Sequence, residues 1–140
     1  MILLIDLYDS FTNNLAQLIS HNSGEEVLII HNDTFLPEEY DTFFSDILPN
    51  FQYVVVGPGP GHPSNAQDIG IVAELYKRGP NVPILGICLG FQSLCHEFGN
   101  PVNQLSNVRH GQIYNIRPLA QSAIFPDTSA FESVRYHSLY

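Results

Sequence analysis

The sequence predicts an α/β fold: an open, mostly parallel, doubly wound sheet with a flavodoxin-like core and an antiparallel extension. Three observations carry this. Short apolar runs without polar alternation recur at Ile2–Ile5, Val27–Ile30, Tyr53–Val56 and Pro83–Ile87, as in strands covered on both faces. Helix-forming stretches of about 10–12 residues separate them, the way right-handed crossovers between parallel strands read. From Pro101 onward the texture changes to interrupted alternation, which suits antiparallel strands.

Taken in order, Ile2–Ile5 is a buried strand ending at Asp6. Asp9 or Ser10 can cap a helix from Phe11 to about Ser20, with Phe11, Leu15, Leu18 and Ile19 on one face and Asn22-Ser23-Gly24 as its stop. Glu26–His31 is the second strand, and Tyr40–Leu48 reads as a short helix between Pro37 and Pro49. Tyr53–Val56 is the third strand. A helix from Ala66 or Gln67 to Lys77 follows, turning Ile71, Val72 and Leu75 inward and ending at Gly79-Pro80. Pro83–Ile87 is the fourth strand, and Leu89–Phe98 the next helix, closed by Gly99. Val108–Ile116, interrupted at His110-Gly111, and the stretches around Ser122–Phe125 and Ser133–Leu139 read as further short strands. In such a sheet ligands bind beyond the carboxyl ends of the strands, which singles out the loops after Ile5, Val56 and Ile87.

Composition narrows the function classes. The 140 residues suffice for one compact domain, and 44% apolar against 14% charged residues excludes charge-rich disorder. So few charges also suggest that something else covers part of the surface. Fourteen acids against five bases give a net charge of −9, and Lys77, Arg78, Arg109, Arg117 and Arg135 form no basic stripe, which argues against nucleic acid. Cys88 and Cys95 would stand about 10.5 Å apart along one helix, too far for a bridge. Both are expected as free thiols in a reducing compartment. Met1 runs into the first strand without a cationic leader, and no apolar run nears the roughly 20 residues of a membrane span. No membrane is expected, and the location expected is cytoplasmic.

The strongest chemical feature is Leu85-Gly86-Ile87-Cys88-Leu89-Gly90, a strand running through G-x-C-x-G into a helix. This is the grammar of a nucleophile elbow, in which the reactive side chain sits on a sharp strand-to-helix turn. The two glycines remove Cβ atoms where strand and helix approach. The helix N-terminus should favour thiolate, and the Leu89 amide is placed to hold an oxyanion. Free cysteine is otherwise a small buried hydrophobe; the position at the end of a buried strand speaks for the nucleophile. The second feature, Gly57-Pro58-Gly59-Pro60-Gly61-His62-Pro63, follows the third strand. It makes a stiff loop with open amides, able to supply a second oxyanion donor. No Gly-Lys-Ser/Thr follows it, so it is not a phosphate loop, and it suits neither a flavin phosphate nor a dinucleotide.

With these residues the sequence resembles a class I glutamine amidotransferase domain, the glutamine-hydrolysing partner of chorismate-using synthases. The matching segments are Leu4-Ile5-Asp6 with Tyr8-Asp9-Ser10-Phe11-Thr12 and Asn14, then Gly57–Pro63, Gly86–Gln92, His110-Gly111 and Arg135-Tyr136-His137-Ser138-Leu139. They span the chain in family order. Asn65–Ile71 and Phe91 resemble the aminodeoxychorismate (para-aminobenzoate) synthase branch, which serves folate synthesis, more than the anthranilate synthase branch.

The resemblance implies that Cys88 attacks the side-chain amide of L-glutamine to give a glutamyl thioester. The backbone amides of Leu89 and Gly59 would form the oxyanion hole. Gly59, Pro60, Gly61 and Gln92 would line the glutamine site, and the Ser138 and Leu139 backbone would hold the amino-acid end of the substrate. The partner implied is a chorismate-binding synthase domain or subunit. No cofactor or metal is implied for this domain, since magnesium would belong to that partner.

One departure stands against these matches. The family's base is a histidine paired with a glutamate in a segment beyond Ser138-Leu139, and the sequence stops at Tyr140 within an apparent strand. The domain over residues 1–140 is therefore expected to be incomplete at its C-terminal end and inactive alone. None of the six histidines fits the role. His137 belongs to the Tyr-His-Ser-Leu motif, His110 to a structural His-Gly, and His62 to the loop. His21, His31 and His96 read as surface or satisfied positions, and His96 lies roughly 12 Å along the helix from Cys88. Two alternatives stay open: the same chemistry serving anthranilate synthase, and a non-catalytic docking module.

Overall fold

The computed structural model describes residues 1–79, 81–127 and 129–140, with the backbone alone at Asn107 and Arg109. It divides into two compact units, Met1–Val102 and Asn103–Tyr140.

In the first unit, β1 (Ile2–Asp6), β2 (Val27–His31), β3 (Tyr53–Val56) and β4 (Ile84–Gly86) form a parallel sheet in the order β2-β1-β3-β4. Ile2 pairs with Val27 on one side and Tyr53 on the other, and Val54 pairs with Ile84. The chain reverses its direction of winding between β1 and β3, so the crevice for a ligand lies beyond their carboxyl ends. All five residues of β1 are buried. Successive side chains of a strand alternate between faces. Leu3 and Ile5 join Val54, Val56, Ile71, Val72 and Leu75 on one side. Ile2, Leu4 and Val55 meet Leu15, Ala16 and Ile19 of α1 (Thr12–Ser23) on the other. Each fully buried Leu or Ile contributes about 1.5–3 kcal/mol, so this double-sided core sets the register of the sheet.

Several elements depart from the sequence expectation for identifiable reasons. Helix α1 begins at Thr12 without a side-chain cap and runs to Ser23, where Gly24 adopts φ 71 and donates to the Ser20 carbonyl. Leu15 and Ile19 face the core, but Phe11 and Leu18 are exposed, at 66% and 60%. Between the prolines, one regular helix is replaced by a 3₁₀ turn at Pro37–Glu39, a short α2 (Tyr40–Thr42), a π turn at Phe43–Ile47 and a second 3₁₀ turn at Leu48–Asn50. These irregular turns let Phe43 and Leu48 both reach the core.

The expected helix from Ala66 to Lys77 is broken into α3 (Ala66–Ile69) and α4 (Ile71–Arg78). Gly70 between them takes φ 54, and a side chain there would collide with the Asn32 backbone carbonyl. Ile71 donates its amide to that same carbonyl at 3.0 Å. Ile71, Val72 and Leu75 are buried as expected. Gly79 caps α4 in the left-handed region, while Pro80 lies outside the described residues. Helix α5 (Leu89–Glu97) follows β4, and Gly99 lies just beyond its end at φ 79.

The second unit is a two-stranded antiparallel sheet of β5 (Gln104–Ile116) and β6 (Phe131–Leu139). Its ladder shifts register between His110 and Gln112, at Gly111 with φ 70, where the pattern was read as interrupted. Ser122–Phe125 is not a strand. The Ser122 amide donates to the Phe125 carbonyl at 2.9 Å and the Phe125 amide returns to Ser122 Oγ at 3.0 Å, closing a turn.

Candidate active site

Cys88 stands between β4 and α5 with φ 54 and ψ −112. A positive φ is uncommon for a residue with a side chain, and such a sparsely populated conformation costs on the order of 1–3 kcal/mol. Short contacts around the bend offset that strain. Ile87 donates its amide to the Val56 carbonyl at 2.9 Å, Gly90 to Ile87 at 3.0 Å and to Gly57 at 3.2 Å, and Gln92 to the Cys88 carbonyl at 2.9 Å.

The two glycines do what the sequence reading required. A Cβ on Gly86 would lie 2.6 Å from the Phe91 nitrogen and 2.7 Å from the Gly90 carbonyl. A Cβ on Gly90 would press on the Val56 carbonyl oxygen and sit 2.9 Å from the Val56 Cβ. The helix therefore starts against the end of β3, and the sulfur is carried to the edge of the sheet.

The Gly–Pro loop meets the bend there. A Cβ on Gly59 would lie 2.5 Å from the Leu7 carbonyl oxygen and 3.0 Å from Leu89 Cδ2, which puts the loops after β1, β3 and β4 in mutual contact. The amides of Leu89 and Gly59 stand beside the Cys88 thiol, where both favour its thiolate form. Gly61 packs on the Asp68 side chain, whose Oδ2 accepts the His62 amide at 2.8 Å. Pro60 is exposed. Gln92 is half-buried in the first turn of α5.

The electrostatics correct one expectation. Although Cys88 is exposed, protein crowded against one side of the sulfur pushes the thiol above its ordinary value. The Leu89 amide pulls it back, the Asp9 carboxylate pushes it up again and the Gly59 amide pulls it down, with an upward net. Desolvation and the nearby Asp9 carboxylate outweigh the two amides, so the net direction is upward.

Asp9 is a member of this site that the sequence reading treated only as a cap and as part of a motif. Its Oδ1 accepts the Phe11 amide at 2.8 Å, and its own amide donates to Asp6 Oδ1 at 3.1 Å. Asp6 Oδ1 also accepts from Thr12 Oγ1 at 2.6 Å, so the loop after β1 is braced from within. Tyr8, at φ 64, stacks on His31 with centroids 4.7 Å apart and donates to Asp33 Oδ1 at 2.7 Å. The position of Asp9 two residues past Leu7, in a loop already singled out, was the available signal.

The family model for class-I glutamine amidotransferases matches residues 3–140. The chain belongs to that family. It is 42% identical, over 99% of its length, to an aminodeoxychorismate synthase of Saccharomyces cerevisiae, and spans 19% of that protein. It is 40% identical over 99% of its length to a second, Schizosaccharomyces pombe protein described as an aminodeoxychorismate synthase by inference, of which it spans 18%. An anthranilate synthase component 2 of Methanothermobacter thermautotrophicus is 37% identical over 99% of the chain and 70% of that protein. A solved glutamine amidotransferase of Methylobacillus flagellatus superposes with a TM-score of 0.66 at 14% identity, covering 99% of this chain and 55% of the other. That likeness speaks for the fold alone.

Within the amidotransferase domain, Cys88, Leu89, Gly59 and the first turn bearing Gln92 come together in the first unit. Ser138 and Leu139 lie on β6 of the second, both half-buried. His137 Nε2 accepts from Arg135 Nε at 3.2 Å, so its Nδ1 carries the proton donated to the Leu139 carbonyl at 2.6 Å. His110 stacks on Tyr136 with ring centroids 4.8 Å apart. His31, read as a surface position, is exposed yet engaged: its Nδ1 lies 3.3 Å from Asp6 Oδ2. Among the described residues no helix is long and apolar enough to cross a membrane.

Proposed function

We propose that this chain is the glutamine-hydrolysing part of an aminodeoxychorismate synthase, releasing ammonia for a chorismate-binding partner in para-aminobenzoate synthesis. One observation carries the chemistry: Cys88 is held at φ 54 on the bend, with the Leu89 and Gly59 amides beside its thiol. The sulfur attacks the glutamine side-chain carbonyl, forming a C–S bond. The carbonyl oxygen takes up negative charge beside the two amides. Collapse expels ammonia and leaves a glutamyl thioester, which water cleaves to glutamate and the free thiol. In this reading Gly59, Pro60, Gly61 and Gln92 line the glutamine site, and the Ser138 and Leu139 backbone holds the amino-acid end.

A thiol raised above its ordinary value needs a base to accept its proton and an acid to serve the departing ammonia. Such help is worth typically 10²–10⁴-fold. Among the described residues, two amides and the Asp9 carboxylate act on the sulfur. Residues 1–140 by themselves are accordingly proposed to turn over glutamine negligibly. No cofactor is assigned to this domain, and a cytoplasmic location is proposed with it.

The test is ammonia release from glutamine by the intact protein and by its Cys88→Ala variant. Retained release by the variant would overturn the reading. The 37% identity to an anthranilate synthase component 2 keeps that branch in view. Product analysis with chorismate separates the two, since 4-amino-4-deoxychorismate is expected and anthranilate would reassign the partner.

A further inference from the structure

Gly90, two residues past the nucleophile, is gripped at both of its peptide groups. Its amide reaches Gly57 and Ile87. Its carbonyl accepts from Tyr76 Oη at 2.8 Å and from Ser93 Oγ at 2.9 Å, and the two hydroxyls lie 3.4 Å apart. Ser93 bonding back to a carbonyl one turn earlier is ordinary helix behaviour. Tyr76 is not local: it comes from α4, fourteen residues earlier, and delivers its hydroxyl to the same oxygen. Tyr76 and Ser93 are 8% and 4% exposed, so little water competes for that oxygen. Burial pushes the Tyr76 hydroxyl up to about 12, which keeps it a donor at any physiological pH.

The place of this grip gives it a meaning beyond packing. The first turn of a helix has unpaired amides and frays most easily, and here it begins at a strained residue and includes a glycine. Relaxation of Cys88 from its positive φ would swing the Leu89 amide away from the sulfur. Fixing Gly90 from both sides opposes that swing.

We propose that Tyr76 and Ser93 are positioning residues for the nucleophile, clamping the Gly90 carbonyl so that the Leu89 amide stays aimed at the Cys88 sulfur. The catalytic consequence rests on the nucleophile reading above; the effect on the thiol does not.

The experiment is the pH profile of iodoacetamide alkylation of Cys88 in the intact protein, read by mass on its own peptide with Cys95 as internal control. In the Tyr76→Phe/Ser93→Ala variant the midpoint is expected to rise by about 0.5 pH unit, with alkylation roughly threefold slower near pH 7.5. Glutamine kcat should fall about tenfold with KM changed less than about twofold, because the groups binding glutamine are untouched. Ser93→Thr alone, which keeps both hydroxyls, should leave the midpoint at the parental value. If the double variant does not fold, Tyr76→Phe alone keeps the ring and is read the same way.

A lowered Tm with an unmoved Cys88 midpoint and unmoved kcat would overturn the proposal, leaving the two hydroxyls a packing role only. Ammonia release surviving Cys88→Ala would instead defeat the nucleophile reading. The alkylation midpoint would still decide the clamp.

Discussion

The Gly90 amide donates to the Gly57 carbonyl across 3.2 Å, so the bend that carries Cys88 and the loop after β3 form one hydrogen-bonded unit. Anything that separates these two glycines separates the sulfur from one of its amide donors.

Gly90→Ala tests that unit directly. The new methyl would press on the Val56 carbonyl oxygen and lie 2.8 Å from its carbon, and a buried strand cannot retreat as a flexible side chain could. Stability should fall by about 3 kcal/mol, measured by urea unfolding, with loss of Cys88 alkylation selectivity. A variant within about 0.5 kcal/mol of the parent, the range of ordinary surface changes, would contradict the packing described.

Gly59→Ala tests the loop's part in the site from the side of Leu7. Its Cβ would fall 2.5 Å from the Leu7 carbonyl oxygen and 2.7 Å from the Leu7 Cβ, so the loop must shift. The Gly59 amide pulls the thiol down, and its loss should move the alkylation midpoint upward. In the intact protein, glutamine turnover should fall roughly 10²–10³-fold, as for loss of one oxyanion donor. Turnover within about tenfold of the parent would remove Gly59 from the proposed site.

Asp9→Asn should act in the opposite direction. A carboxylate beside a sulfur disfavours a second negative charge, so its removal lowers the thiol's value and moves the alkylation profile to lower pH. The amide side chain can still accept from Phe11. Alkylation near pH 7.5 should speed up by about two- to fivefold. A slower reaction would mean that Asp9 acts on the loop's shape and not on the charge.

Tyr76 gives a stability prediction with a defined pH window. An unfolded tyrosine ionises near 10, while the folded one is pushed up to about 12 by burial. The folded state therefore holds its proton longer. Its stabilising share is fully present below pH 10 and is lost as pH rises toward 12. Tyr76→Phe should lose less stability than the parent between pH 9 and 12, by on the order of 2 kcal/mol. Parallel alkaline denaturant melts measure this, and identical pH slopes would refute it.

Much of the site could be read from residue order because glycine and cysteine leave local marks. Gly86-Ile87-Cys88-Leu89-Gly90 states that a strand turns sharply into a helix, and the turn is there at φ 54. The break at Gly70 was not readable, since the apolar spacing continues across it. Its cause is the Asn32 carbonyl, thirty-eight residues earlier in the chain. Phe11 and Leu18 fit the apolar face of α1 by spacing, yet both lie in solvent. Periodicity reports which residues share a stripe and not how wide a stripe the neighbouring sheet can cover.

The order of apolar runs, glycines and prolines was enough to establish a parallel sheet, the bend at Cys88, the stiff loop opposite it and a family resemblance. These features are local, written in backbone freedom and in the spacing of side chains that leave water. The upward direction of the thiol was decided in three dimensions, because desolvation and the Asp9 carboxylate act through space against the pull of the Leu89 and Gly59 amides. The same holds for the hydroxyls of Tyr76 and Ser93 on the Gly90 carbonyl: the tyrosine comes from another helix, and only the packing of α4 beside α5 brings it within 2.8 Å.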